Sequence, residues 1–534
     1  MQVRSGPRRR RVLRAAALVL LTGWPVLSAR DGDLDSSFAT AGILCETRGI
    51  GWDIAAHPSG RVLLAGKGFN FTAACYTREG VPDPAFAGGV ADIDLPGSGE
   101  EPYAMALQPD GRVLLGGFCD GIRQDFALVR LRMDGLPDPE FGGDGIVTMD
   151  LAGQVDAIRS LWVQPDGAIL AAGTAGTTLP WNVALARYRT DGGLDSTFGT
   201  DGIVITELSA YSDAWEVRGD PAGRILVCGW VHNTASGLTE AILLRYRSDG
   251  VPDPDFGDAG LVRLRPADPP AGDCEARALA LQGDGRIIVA GIAHTRIFVA
   301  AVDGAGVPDP AFGPDGTGWL LYDVDVGADV ANALAVDGAG RILIAGHGDD
   351  PASGKRDAHL ARVTAEGRID SSFATNGIAR VNFFREGSYT SDDFCYGMAI
   401  QSDGRVLIGG RAGVYGEYRF AAARFMADSP PVAVPATAAP APPTFVLDLP
   451  APNPFNPVTR LGFTLSRSGP VRLSVVDLLG REVVVLIDGI LSGGLHERRW
   501  GGTDGRGRNV PGGIYFCRLR TEEGTAVRRL VLVR

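Results

Sequence analysis

The 534-residue sequence has no apolar run long enough for a multi-span membrane protein, no collagen-like triplet and no helix-length pattern of 3.6-residue period. Those absences exclude membrane helix bundles, triple helices and helical solenoids. Seven cysteines (Cys45, Cys75, Cys119, Cys228, Cys274, Cys395 and Cys517) are irregularly spaced without a Cys-x-x-Cys pair. An odd, scattered count argues against a disulfide framework and against a zinc site. Recognisable catalytic motifs are missing as well. There is no Gly-x-Ser-x-Gly elbow and no His-Glu-x-x-His, and Gly354-Lys355 is followed by Arg356, which spoils a phosphate loop. No catalytic residue and no organic cofactor are expected. Positive charge is scarce in the middle of the chain: residues 30–444 hold 32 basic and 55 acidic residues, whereas 1–29 and 445–534 are both basic. So acidic a body repels nucleic acid and anionic membranes, leaving anchoring as the only expected link to a membrane.

Glycine is abundant, with 74 residues, about twice ordinary usage. Without a collagen period, that excess points to tight turns between short strands. The first 29 residues read as an export signal: an arginine-rich start, an apolar core from Ala15 to about Leu21, then small residues near Ser28 and Ala29. The expected location is therefore secreted or on the bacterial cell surface or outer membrane.

Internal repetition decides the fold. A phrase of the form Asp-Gly-x-x-Asp-x-x-Phe recurs with its phenylalanines at Phe38, Phe86, Phe141, Phe198, Phe256, Phe312 and Phe373. A second phrase follows each copy, such as QPDGRVLLGG or DPAGRILVCG, with turn glycines at Gly60, Gly111, Gly167, Gly223, Gly285, Gly340 and Gly404. A weaker third phrase, such as FALVRLRMDG, closes each unit. Each unit reads as four short strands, exemplified by 145–148, 104–108, 112–115 and 126–130, with Pro-Asp-Gly making a tight hairpin. The phenylalanine is expected to plug the gap between neighbours. A lone sheet of about 56 residues cannot bury both faces, but seven packed radially can. The expected fold class is all-β, a seven-bladed β-propeller over 30–427 followed by a small Ig-like β-sandwich.

The alternation of x-L-D-x-x-F-G with A-x-x-x-Q-P-D-G-R-I-L-V-A-G resembles the delta-60 repeat of bacterial secreted proteins. That resemblance implies a propeller and a surface or secreted location, with no established chemistry. After Met426 the composition turns to proline and alanine, so 428–444 reads as a semi-rigid spacer. Residues 445–534 show period-2 strands at 461–465, 471–476, 513–519 and 526–532. The string Pro452-Asn453-Pro454-Phe455-Asn456-Pro457, then 475–481, Gly494-Leu495-His496, Trp500 and 512–516, resembles FlgD-type Ig-like domains and the type A C-terminal sorting domain of type IX secretion. That likeness implies a partner in the secretion and sorting machinery, read through 445–534.

Three groups of side chains are candidates for chemistry. Asp134, Asp138, Asp144, Asp191, Asp195 and Asp201 could supply oxygen ligands to calcium, or could cap their own turns. His232, His294 and His347 follow their hairpin glycines at similar distances and could share a rim and a metal, or be ordinary loop histidines. Glu101, Asp156, Asp213, Asp329 and Asp393 precede one strand at similar offsets, and could ring a channel mouth or serve strand-entry hydrogen bonds. The expected role is a non-catalytic binding or structural module for an extracellular protein or glycan. The alternative is a polysaccharide-active enzyme or lectin using the channel mouth.

Overall fold

The computed structural model describes residues 30–427 apart from 98, 121–123, 152–154, 177–180, 209–210, 267–271, 325–326 and 387–388, together with 445–447, 455–465, 468–476, 481–492, 494–521 and 524–533. The expected signal segment 1–29 and the spacer 428–444 lie outside the described residues. The chain divides into two compact units, Met1–Val434 and Pro435–Arg534.

The described part of the first unit holds seven four-stranded antiparallel sheets and one two-stranded pair, Arg385–Glu386 with Tyr389–Thr390. Each four-stranded sheet begins with an inner strand: Ile50–Ala56, Glu100–Leu107, Ala157–Val163, Ser212–Gly219, Cys274–Leu281, Val330–Val336 and Asp392–Ile400. Consecutive inner strands touch, and the last touches the first, so the sheets close into a circle. Hairpins form where Pro-Asp-Gly and its variants were expected to turn, with positive φ at all seven glycines, from +78° at Gly223 to +92° at Gly60 and Gly285. The following strand runs further than the sequence suggests. Val113–Asp120, for example, continues well past the expected end at residue 115.

Sheet and repeat are out of step by one strand. The strand that opens each sequence unit, such as Ile146–Met149, pairs with the third strand of the preceding sheet, here Gln124–Leu131. The four strands of one repeat therefore do not form one sheet. As a result the first strand of the chain, Ile43–Arg48, completes the last sheet by pairing with Glu417–Phe425.

The repeated phenylalanines behave as plugs: Phe38, Phe86, Phe141, Phe198, Phe256, Phe312 and Phe373 are all buried. Phe86, for instance, packs among Leu63 of one sheet and Leu115 of the next. After each phenylalanine the backbone turns left-handed, and the next N–H donates to a carbonyl of the neighbouring unit. The partners run Ala39 to Glu79, Ala87 to Asp134, Gly142 to Asp191, Gly199 to Asp249, Gly257 to Ala305, Gly313 to Glu366 and Ala374 to Asp31. In five units an arginine stacks on the plug and grips its aspartate. Arg245 Nε lies 2.7 Å from Asp253 with its guanidinium 4.3 Å from the centre of the Phe256 ring. Arg130, Arg187, Arg362 and Arg424 repeat this arrangement. A buried charge needs such a partner, because desolvation is otherwise uncompensated. The other two units carry Cys75 and Ala301 at that position, and their aspartates pair with hairpin arginines instead, Arg61 with Asp83 and Arg286 with Asp309.

The second unit holds two antiparallel sheets. One orders Phe445–Leu447, Thr459–Leu465 and Gly494–Trp500; the other orders Glu482–Leu491, Gly469–Val476, Gly513–Thr521 and Gly524–Leu532. Both face one apolar core that includes Phe463, Val475, Trp500, Leu519 and Leu530. The buried polar ends of its aromatics are satisfied locally, Trp500 Nε1 donating to Thr503 O at 2.9 Å and Tyr515 Oη to Pro511 O at 2.8 Å.

Candidate functional site

Every inner strand carries a β-bulge at the same register, between Gly51 and Asp53, Pro102 and Ala104, Ile158 and Ser160, Ala214 and Glu216, Ala276 and Ala278, Ala331 and Ala333, and Cys395 and Gly397. A bulge leaves one residue unpaired and re-aims its side chain. Here the seven unpaired residues are Trp52, Tyr103, Arg159, Trp215, Arg277, Asn332 and Tyr396, and all seven line one central cavity of about 260 Å³. The bulge exists because a glycine faces it. A Cβ on Gly66, Gly117, Gly173, Gly229, Gly291, Gly346 or Gly410 would come within 1.8–2.0 Å of a carbonyl oxygen on the bulged strand. These are the last glycines of the QPDGRVLLGG-type phrases.

The seven side chains form a belt of aromatic and cationic groups. Trp52 meets Tyr396 at 4.5 Å and Tyr103 at 5.3 Å between ring centres. Arg159 stacks on Tyr103 at 4.4 Å, and Arg277 on Trp215 at 4.8 Å. Arg277 donates to Asn332 Oδ1 at 2.9 Å, Asn332 Nδ2 donates to Cys395 O at 2.8 Å, and Trp52 Nε1 donates to Glu101 Oε1 at 2.7 Å. Arg411, on the neighbouring strand Val406–Val414, packs against Phe394 at 4.4 Å, Tyr418 at 4.5 Å, Trp52 at 5.6 Å and Tyr396 at 5.7 Å.

The residue after the bulge braces the circle where it is polar. Asp53 accepts from Met105 N at 2.8 Å, Ser160 from Val217 N at 3.2 Å, and Glu216 from Leu279 N at 2.6 Å, each across to the next inner strand. Burial pushes the Asp53 carboxyl up to about 6, against the hydrogen bonds from Met105 and Ile54, and raises Glu216 despite its pairing with Arg218. These acids are structural braces beside the belt.

The sequence-derived candidates take other places. Asp156, Asp329 and Asp393 are buried and receive loop N–H groups, from Leu151 at 2.6 Å, Val324 at 2.6 Å and Phe383 at 2.7 Å. Asp213 is bonded by Thr174, and Glu101 by Trp52. Of the two readings of this set, Asp156, Asp329 and Asp393 fit strand-entry bonding. Asp134, Asp144, Asp191 and Asp195 each accept from the N–H two residues on, at 3.0–3.1 Å. Hydrogen bonds from Leu136 N, Gly193 N and the Thr197 hydroxyl hold Asp134, Asp191 and Asp195 below the ordinary carboxyl range. Asp138 is buried between Arg130 at 2.7 Å and Arg112 at 2.9 Å, and Asp201 sits in a turn at φ +52°. These six are not drawn together. The acids that do converge among the described residues are Asp125, Asp150 and Asp156, whose oxygens lie within 4.8 Å of one another. His347 is buried beside Asn332 and Cys395 O, and burial pushes its pKa down to about 4. His294 occupies a left-handed turn, and His232 stacks edge-on to Tyr211 at 5.8 Å.

Sequence reasoning missed the belt, although a signal was present. Each belt residue stands eight positions before its hairpin glycine, and in an aromatic-poor chain four of the seven are Trp or Tyr. The stretches 108–141, 164–198, 221–256, 340–373 and 401–429 match the family described as "Domain of unknown function (DUF5122) beta-propeller". The chain is a β-propeller repeat protein. The five matched stretches are those whose units carry the clamp arginine; the units with Cys75 and Ala301 are unmatched. No curated protein matches the sequence. Similar solved structures include a fungal alcohol oxidase in complex with copper, 13% identical over 92% of this chain and 98% of that one, with a TM-score of 0.36. Another is PorZ, a surface component of the type IX secretion system of Porphyromonas gingivalis, 11% identical over 94% and 86%, with a TM-score of 0.27. A polysaccharide lyase is 12% identical over 72% and 98%, with a TM-score of 0.42. At such scores none of them bears on what this propeller does.

Proposed function

We propose that the chain is a secreted or surface-displayed seven-bladed propeller that binds an extracellular ligand without transforming it. In this reading residues 1–29 direct export, and 445–534 form an Ig-like domain that addresses the protein to its sorting machinery. The belt carries the binding reading: seven equivalent positions, built from one bulge and one glycine each, deliver unlike side chains to one cavity. Function on a repeat fold resides in such variable positions, and the repeat itself supplies the scaffold. A mixture of aromatic faces, guanidinium groups and an amide suits recognition of a polar ligand with an apolar face. The acids at the belt support its strands through backbone N–H groups, which fits binding better than hydrolysis by the alternative, a polysaccharide-active enzyme.

The test is a glycan array probed with the full chain and with the double variant Trp52→Ala/Tyr396→Ala. The expected result is retention of a defined glycan set by the parent and loss by the variant at an unchanged melting temperature. Equal retention by both would remove the belt as the site. For the terminal domain, deletion of 445–534 is expected to trap the protein within the cell envelope; normal release would refute the sorting role.

A further inference from the structure

We infer that the belt recognises a sugar bearing a carboxylate, such as a uronic acid unit of an acidic glycan. This rests on the binding reading above and names its ligand class. The decisive group is Arg411. Among the described residues its guanidinium has neither an acidic partner nor a hydrogen bond, and its Nε is buried. Four aromatic rings surround it instead, two of which, Trp52 and Tyr396, line the cavity. The most deeply buried arginines of this propeller are matched by an aspartate, as Arg245 is by Asp253 and Arg424 by Asp35. Arg411 Nε, like Arg419 Nε, is buried without a hydrogen bond, and of the two only Arg411 packs on rings that line the cavity. A cation held among rings in an otherwise acidic body is poised for an anion from outside. The planar fork of arginine fits a carboxylate through two parallel hydrogen bonds.

Arg411 stands behind the Trp52 and Tyr396 rings, and the cavity that those rings line argues for a sugar attached to that carboxylate. Trp52 and Tyr396 supply flat apolar surfaces for the C–H face of a pyranose. Arg277 and Asn332, joined at 2.9 Å, line the same cavity and give it polar groups for the ring's hydroxyls. The cavity, about 260 Å³, lies just below the ~300–1,000 Å³ typical of drug-sized ligands, so it suits one ring at the end of a chain. A free organic acid would satisfy Arg411 but leave the aromatic faces unused.

Isothermal titration of the full chain with tetragalacturonate, its methyl ester, free galacturonate and acetate separates these cases. Tetragalacturonate and galacturonate are expected to bind, the methyl ester and acetate at least about tenfold more weakly, with affinity falling as salt rises. Arg411→Gln is expected to remove the preference for acid over ester, and Trp52→Ala to weaken both acidic sugars, each with an unshifted melting temperature. Arg411→Lys, which keeps the charge and loses the fork, is expected to fall between parent and Arg411→Gln. Equal binding of acid and ester would overturn the acidic-sugar inference and leave the binding reading standing. Acetate binding as tightly as galacturonate would overturn the sugar. Failure of both acidic sugars to bind would overturn the inference outright. Shortening of tetragalacturonate during the titration would overturn the non-catalytic reading while leaving the ligand class in place.

Discussion

Asp393, the second residue of the last inner strand, is fully enclosed, with one carboxylate oxygen accepting from Phe383 N and the other lacking a hydrogen-bond partner. Burial, with the charges of Asp357 and Asp392 nearby, pushes its carboxyl up to about 8 against the bonds from Ser391 and Phe383. An unfolded aspartate titrates near 3.9, so the folded chain holds this proton more tightly than the unfolded chain does. The stabilisation is then complete below about pH 4 and is lost as pH rises through about 8. Asp393→Asn keeps an acceptor for Phe383 N and has no proton to lose. It is expected to flatten the fall in melting temperature between pH 4 and 8 and to raise the value at pH 8. A variant with the parent's slope would show that other groups, such as Asp53 at about 6, carry the dependence.

At the scale of strands, the bulge and the glycine opposite it form one unit. Gly229 pairs with Ala214, and a Cβ there would lie 1.9 Å from Asp213 O. Gly229→Ala must therefore either push the inner strand away or straighten the bulge, which would turn Trp215 out of the cavity. A loss of about 3 kcal/mol is expected in denaturant unfolding, at the upper end for overpacked sites. Gly223→Ala, where open space surrounds the new methyl but φ is +78°, should lose only about 1 kcal/mol. Equal losses would mean that the close approach does not matter. This pairing also marks how far the sequence could be read. Hairpin glycines and plug phenylalanines were legible because turn chemistry and burial are local and repeat in register. The glycine six residues after each hairpin glycine looked like part of an apolar strand, because its reason lies on another strand. The belt was hidden for the same cause, since unlike side chains at one register leave no repeating letter. The one-strand offset between repeat and sheet was equally invisible, because period and spacing are identical for either choice of starting strand.

That offset governs the molecule as a whole, because it decides how the circle is closed. Strand Ile43–Arg48 pairs with Glu417–Phe425, matching Ile43 with Ala423 and Cys45 with Ala421. Just before it, Gly32 N donates to Met426 O at 2.9 Å and Met426 N to Asp33 O at 2.8 Å. Asp35 receives both Arg424 and Arg405 at 2.8 Å, and Asp31 O accepts from Ala374 N of the preceding unit. The beginning of the described chain therefore fastens the phenylalanine turn that opens the seventh sequence repeat and the last sheet at once. Deleting 30–48 would bare the edge of Glu417–Phe425, a strand whose last six residues are buried, and would leave Arg424 enclosed without its aspartate. An open, apolar edge pairs with other chains, and an unmatched buried charge is strongly destabilising, by about 3–5 kcal/mol. The truncated protein is expected to elute as aggregate in size-exclusion chromatography, and a synthetic 30–48 peptide added during refolding is expected to restore monomer. A monodisperse truncated chain with the parent's melting temperature would mean that the circle holds without its closing strand. Asp35→Ala in the full-length chain separates the two contributions. It keeps the strand pairing and removes the carboxylate with its bonds to Arg424, Arg405 and Ser37, so it is expected to melt earlier while remaining monomeric.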